Sequence, residues 1–319
     1  MKPTVYLTRR IPQEGIDILR RQGYKLLINP LDKPVPRQTL LGEVSNADAL
    51  LCMLADRIDR RVIDAGKRLK VISAYAVGID NIDVSYATKK GIIVTNTPGV
   101  LTEATAELTW ALLFACARRV TEADRYTRAG RFKVWGPTLL LGRQIGGKTI
   151  GIIGAGRIGQ SVGRKASAFG MNVLYFNRSK EPQFKKEAAA QRVDLKTLLK
   201  KSDFITLHLP LTKETRYFIT LKELRQMKRT AYLINVARGP VVKEADLVYA
   251  LKHNLIAGAG LDVYEHEPKV HPALLKLDNI TLLPHLGSAT VESRIRMAEI
   301  AAKNITAALH GKQPLFRVK

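Results

Sequence analysis

Residues 148–159 read Lys-Thr-Ile-Gly-Ile-Ile-Gly-Ala-Gly-Arg-Ile-Gly, and the fold follows from how this stretch is read. Its last six residues, Gly154, Ala155, Gly156, Arg157, Ile158 and Gly159, match the spacing G-x-G-x-x-G. That spacing alone is a weak signal. Here it follows an apolar run over 148–154 and opens a segment whose inner face reads Ile158, Val162, Ala166 and Phe169. Gly170 then ends the segment, and a new apolar run starts at once. Strand, glycine turn, helix and strand in that order make a dinucleotide site. Gly154 permits a tight turn, Gly156 lets a pyrophosphate approach the backbone, and Gly159 lets helix and strand pack closely. The helix N-terminus then offers its amide hydrogens to the phosphates.

Outward from this turn, strand-like and helical runs alternate along the chain, the signature of parallel α/β architecture. Before it, strands are predicted at 4–8, 25–29, 49–54, 70–76 and 91–96, with helices such as 12–22 and 57–66 between them. Residues 102–119 form a nearly all-apolar helix, expected to be buried between domains or between subunits. After a turn-rich stretch, a second series places strands at 148–154, 172–177, 203–209, 230–237, 256–263 and 279–284. Val291, Ile295, Ala298, Ala302, Ile305 and Leu309 then recur at helical spacing, predicting an amphipathic helix over 290–310. The first sheet lacks a final helix, so this segment is assigned to it. The predicted division is a discontinuous domain of 1–98 plus 287–319 and a dinucleotide domain of 99–286.

The 319 residues are enough for two such domains, and 46% are hydrophobic, which excludes a disordered chain. No apolar run approaches the roughly 20 residues that span a bilayer. The first residues lack an apolar segment followed by a cleavage site. Cys52 and Cys116 lie in apolar runs and read as buried free thiols, too few for a disulfide framework or a zinc site. A cytoplasmic protein without metal or membrane is expected. The net charge of +24 fits either a solvated basic surface or a polyanion partner. Its basic pairs, among them Arg9-Arg10, Arg60-Arg61 and Lys200-Lys201, are scattered along the chain. There is no long basic run, which favours the solvated surface over nucleic acid.

The end of the second strand selects the cofactor. NAD enzymes place an acidic residue there for the ribose hydroxyls. This chain has Asn177, Arg178, Ser179 and Lys180, with no carboxylate expected to repel a 2′-phosphate. The loop favours NADP(H) over NAD(H); an ordinary basic loop in a basic protein is the other reading. Chemistry falls at the carboxyl ends of later strands, where ligands of open parallel sheets bind. Arg238 can grip a carboxylate in bidentate fashion. His285 can exchange a proton near neutral pH. Glu267 is the carboxylate that would steady the imidazole, and Glu265 is its nearby competitor for that role. Asp80 and Asp83 read as turn and helix-cap residues.

These pieces resemble the D-isomer-specific 2-hydroxyacid dehydrogenase family over nearly the whole chain. The matching stretches are 76–83, 96–107, 141–159, 208–212, 235–242, 260–268 and 284–290; the 96–105 and 135–137 stretches are similar to its glyoxylate/hydroxypyruvate reductase branch. The resemblance implies two doubly wound parallel-sheet domains, a Rossmann dinucleotide-binding domain and a smaller flavodoxin-like substrate domain. It also implies reduction of small 2-oxoacids to 2-hydroxyacids, with His285 as proton donor, Glu267 as its partner, and Arg238 on the substrate carboxylate and carbonyl. The amides of Val77 and Gly78 would hold the carboxylate, and Leu54 would line the substrate site. Thr105, Val236, Ala237, Asp262 and Gly287 would lie near the nicotinamide, with Asp262 on its carboxamide; His208 and Pro210 would lie on the cofactor side. Trp135 resembles a tryptophan that enters a neighbouring subunit's site, implying a homodimer; core filling is the plainer alternative for Trp135 and for Leu54. Dehydrogenation of another substrate, such as 2-ketogluconate-type keto acids or the hydroxyacid 3-phosphoglycerate, and a corepressor-like scaffold that binds dinucleotide without turnover, are the competing functions.

Overall fold

The structure is a computed structural model and describes residues 2–318. It divides into two compact units, one made of the chain through Leu101 together with the segment from Ser288 onward, the other of Thr102–Gly287. These boundaries fall a few residues beyond 98/99 and one beyond 286/287. The first follows the turn at Gly99 (φ 89°), after which a helix begins at Thr102.

The first unit runs β1 (Thr4–Leu7), α1 (Gln13–Arg21), β2 (Lys25–Ile28), α2 (Arg37–Ser45), β3 (Ala49–Cys52), α3 (Arg60–Ala65), β4 (Val71–Ala74), α4 (Val84–Lys89) and β5 (Ile93–Thr95). Its five strands pair in parallel in the order β2-β1-β3-β4-β5. Leu50, Ile72 and Val94 stand in neighbouring strands and fill one side of the sheet with Ile58, Val62 and Ile63. Asp83 caps α4 by accepting from the Tyr86 amide at 3.0 Å. α2 and α4 lie between the strands alongside the helices read at 12–22 and 57–66.

The second unit runs α5 (Thr102–Ala117), α6 (Val120–Arg128), β6 (Thr149–Ile153), α7 (Arg157–Ala168), β7 (Asn172–Phe176), α8 (Pro182–Ala188), β8 (Gln191–Arg192), α9 (Leu195–Lys201), β9 (Phe204–Leu207), α10 (Leu221–Leu224), β10 (Tyr232–Asn235), α11 (Glu244–Lys252), β11 (Gly258–Leu261) and β12 (Ile280–Leu282). Its seven parallel strands take the order β12-β11-β10-β9-β6-β7-β8. The chain winds outward from β6 to β8 and then outward the other way from β9 to β12. The crevice for a ligand therefore lies beyond the carboxyl ends of β6 and β9, where the direction switches. Both faces of this sheet are covered, so its central strands are mostly apolar, with Thr206 and Asn235 as buried polar exceptions.

Finally α12 (Val291–Leu309) returns to the first unit, packing on α1, β3, β4 and β5. Thr290 caps it, accepting from the Ser293 amide at 3.2 Å.

Three expectations about faces change. α5 is buried against α7, β10, β11 and β12 of its own unit, so its apolar character needs no second domain or subunit. Its outward positions are Glu103, Glu107 and Ala111. Phe169 is not on the inner face of α7 but 41% exposed, with Trp110 and Phe114 beside it. The inner face is built from Gly159, Ser161, Val162, Gly163 and Ala166, small residues that let α7 lie close to the sheet. Val291 is exposed at the start of α12; Ala298, Ala302 and Ile305 lie on its buried face as expected, joined by Met297 and Ala301.

Candidate active site

At the switch point, Gly154 has φ +95° and Gly159 closes against its carbonyl. A β-carbon on Gly154 would meet the His208 carbonyl oxygen at 2.8 Å, whereas one on Gly156 would meet nothing within 4 Å. The backbone is pressed against β9 on one side and open on the other. No side chain caps the N-terminus of α7, so its amides are left to an anion. Ala155 is buried, while Gly156 and Arg157 are exposed and Ile158 is half-buried. His208 Nε2 is buried without a protein partner, and burial pushes its imidazole down to about 3. The cradle, the open Gly156 and this orphaned nitrogen fit a dinucleotide. Pro210 is exposed in the following loop.

Beyond β7, the Asn177 amide nitrogen donates to Ser179 Oγ at 3.0 Å and to Glu181 Oε1 at 2.9 Å. Ser179 Oγ donates to the same Glu181 oxygen at 2.6 Å. A carboxylate therefore does stand in the loop of Arg178 and Lys180, contrary to the expectation of none. Four residues past Asn177, it lies beyond the position where the ribose acid is sought. Arg192, also unflagged in the sequence, donates to the Asn177 and Arg178 carbonyls at 3.0 and 3.1 Å and braces the loop from β8.

At the carboxyl ends of β10, β11 and β12, the acid–base groups converge. His285 Nδ1 lies 2.7 Å from Glu267 Oε2, with both side chains about one-third exposed. Glu267 Oε1 accepts from the Tyr264 amide at 3.0 Å. Tyr264 Oη reaches the Leu283 carbonyl at 2.8 Å, tying the loop of Glu267 to the strand that leads into His285. His285 itself sits at φ +58°, a left-handed conformation rare for a residue with a side chain. Asp262 holds that turn. Its oxygens accept from the Leu286 amide at 2.6 Å and the Gly287 amide at 2.8 Å, and its carbonyl accepts from the His285 amide. Burial pushes the Asp262 carboxyl above the usual range, against the pull of those amides and of His285. The side chain is fully buried. Its observed contacts thus present His285 by holding the turn on which it sits.

Arg238 follows β10, where the Asn235 side chain shapes the turn by donating to the Arg238 carbonyl and accepting from the Ala237 amide, both at 3.0 Å. Arg238 Nη1 donates to the Ala237 carbonyl at 2.9 Å. Val236 is buried and Ala237 half-buried beside it. Thr105 Oγ1 donates to the Gly287 carbonyl at 2.9 Å. Glu265, the alternative carboxylate, is committed elsewhere: it accepts from Tyr217 Oη and from the Glu244 amide.

In the first unit, Leu54 and Val77–Gly78 follow the adjacent strands β3 and β4 and are half-buried. The Asn96 side chain holds the Val77 carbonyl at 2.8 Å. Buried Asp56 accepts from the Met53 amide at 2.8 Å and from Thr8 Oγ1, folding the turn that carries Leu54. Trp135 is 75% exposed in a stretch with Phe132, Val134 and Leu141 also exposed, so it does not fill a core. Cys52 and Cys116 are buried and free. Among the described residues no helix is long and apolar enough to cross a membrane.

Fold and site together define a class: a doubly wound dinucleotide-binding protein with anion-holding and proton-exchanging groups at the carboxyl edge of its sheet. Residues 110–287 match the D-isomer specific 2-hydroxyacid dehydrogenase, NAD binding domain. The glyoxylate reductase of Thermococcus kodakarensis is 50% identical over 318 residues, 98% of this chain and 95% of that protein. A crystal structure of a Thermus thermophilus protein superposes with a TM-score of 0.94 at 44% identity, covering 99% of this chain and 100% of that one. An NADPH-dependent glyoxylate/hydroxypyruvate reductase from Sinorhizobium meliloti, solved with NADP and malonate, superposes with a TM-score of 0.86 at 30% identity, covering 100% of this chain and 97% of that one. The chain belongs to the D-isomer-specific 2-hydroxyacid dehydrogenase family.

Proposed function

We propose that this protein reduces small 2-oxoacids, glyoxylate and hydroxypyruvate, to 2-hydroxyacids with NADPH, NADH serving less well. The carrying observation is the 2.7 Å contact between His285 Nδ1 and Glu267. It fixes the ring so that Nε2, which has no protein partner among the described residues, is left to exchange a proton with substrate oxygen. The residues that would hold the dinucleotide are the glycine turn, the N-terminus of α7, the 177–180 loop, His208, Pro210, Thr105, Val236, Ala237 and Gly287. Hydride for the substrate's C2 comes from the nicotinamide when bound. Arg238 grips the substrate carboxylate and stabilises charge growing on the carbonyl oxygen. In the first unit, the amides of Val77 and Gly78 are the candidates for a substrate carboxylate and Leu54 for contact with a small substrate. His285 delivers the proton that completes the alcohol, and Glu267 steadies the ring while its charge changes. One 2-oxoacid, one NADPH and one proton become one 2-hydroxyacid and one NADP.

NADP(H) is favoured by the cations Arg178 and Lys180 braced by Arg192, and by the NADPH-dependent relative. A homodimer is supported by the exposed apolar residues around Trp135. The buried free thiols suit a reducing cytoplasm. The test is a panel of 2-oxoacids assayed with both cofactors. Glyoxylate or hydroxypyruvate with NADPH should turn over fastest. His285→Ala should lower reduction by about 10²- to 10⁴-fold with cofactor affinity unchanged. Dinucleotide binding without turnover on any 2-oxoacid would instead support the scaffold reading.

A further inference from the structure

We propose that Glu181 is a cofactor-selecting residue, supplying from four residues downstream the carboxylate that position 177 lacks and so keeping the protein open to NADH. This rests on the dinucleotide reading above and sharpens it.

Three elements meet on this one side chain. Its Oε1 accepts from Asn177 at the end of β7 and from Ser179 in the basic loop. Its Oε2 accepts from Gln160 Nε2 at 3.3 Å, and the same Gln160 nitrogen donates to the Ala155 carbonyl in the glycine turn at 2.9 Å. The Glu181 amide donates to Tyr175 Oη at 3.1 Å, fixing where the side chain starts. The carboxylate is thereby held between the pyrophosphate turn and the strand end, where this fold places the adenosine ribose. It does two things there. It engages the Asn177 and Ser179 donors that a 2′-phosphate would use. It also sets a negative charge where NADPH would bring about two more, while presenting an acceptor to the free hydroxyls of NADH. Arg178 and Lys180 pull the preference the other way. Selectivity is the balance of these cations against one carboxylate, not the product of the basic loop alone.

Glu181→Gln keeps the size and the hydrogen-bonding reach to Asn177 and Ser179 but removes the charge. Dissociation constants for NADPH, NADH, 2′-phospho-AMP and AMP, measured by calorimetry without substrate, read binding directly. We expect NADPH and 2′-phospho-AMP to bind about five- to tenfold more tightly to Glu181→Gln, and NADH a few-fold more weakly. Shifts of opposite sign are what the proposal requires; equal shifts, or none, overturn it. Arg178→Ala separates this from the underlying cofactor reading. If Arg178→Ala weakens NADPH and 2′-phospho-AMP alone while Glu181→Gln changes nothing, the basic clamp stands and the Glu181 proposal falls. If no dinucleotide binds the parent protein, the dinucleotide reading fails first. A melting temperature within about 2 °C of the parent shows that Glu181→Gln remains folded.

Discussion

Replacing Gly239 with alanine should force apart the two backbones that carry the site. A methyl built on Gly239 would lie 2.5 Å from the Glu265 amide nitrogen and closer still to the Tyr264 carbonyl. Ordinary contact is about 3.5 Å and the Tyr264 carbonyl is the nearer clash, so the segments must separate by well over about 1 Å. Neither neighbour is the yielding end of a side chain. Gly239 directly follows Arg238, and Tyr264 holds Glu267 through its amide, so the displacement falls on the carboxylate grip and on the partner of His285. Overpacking costs about 1–3 kcal/mol, and backbone against backbone belongs at the upper end. For a unit of this size that is roughly 6–12 °C in Tm. A misplacement of about 1 Å costs on the order of 10²-fold in kcat. The assay pairs calorimetric Tm with kcat for glyoxylate reduction, and with NADPH affinity, which should hold because the glycine turn follows a different strand. A Gly239→Ala protein with the parent's kcat and Tm would refute the reasoning.

Two further tests follow from the site. Glu267→Gln removes the charge from a 2.7 Å bond between side chains one-third exposed, so about 1.5–2 kcal/mol is at stake and kcat/KM should fall about 10- to 30-fold; an unchanged kcat/KM would mean that Glu267 does not support His285. His208, pushed down to about 3 by burial, stays neutral in the folded protein while its unfolded counterpart protonates near 6.5. The unfolded state then binds the extra proton, so this residue's contribution is whole above about pH 6.5 and is lost as pH falls toward 3, by up to about 2 kcal/mol at pH 5. His208→Gln should flatten the loss of urea stability between pH 7 and 5, and equal slopes for variant and parent would discard the idea.

The parallel architecture was legible because local signals carry it. Runs such as 150–153 and 204–207 are almost wholly apolar, as strands covered on both faces tend to be, and Gly154 and Gly159 mark a turn that few other contacts could demand. Arg238, Glu267 and His285 were visible for the same reason: each follows a strand recognised by its own composition. What escaped depends on contacts distant in the chain. Glu181 turns back onto Asn177 and Gln160, which no spacing rule links. Asp262 enters the sequence reading only as a carboxamide contact that the resemblance implies, and only the turn at 285–287 shows that its oxygens accept backbone amides. Tyr264 lies within a quoted motif, yet its bond to the Leu283 carbonyl depends on two strands lying side by side. α5 misled because a run of apolar residues does not say which surface will cover it.

The return of α12 to the first sheet has a consequence for how the protein is made. During synthesis β1 to β5 leave the ribosome first, yet the face that α12 covers, including α1, stays open until residues 291–309 emerge. At about 5–20 residues per second, the intervening residues 102–287 occupy roughly 10–40 s. The first-made half is thus the last completed, and for that interval its apolar surface is a natural client for a chaperone.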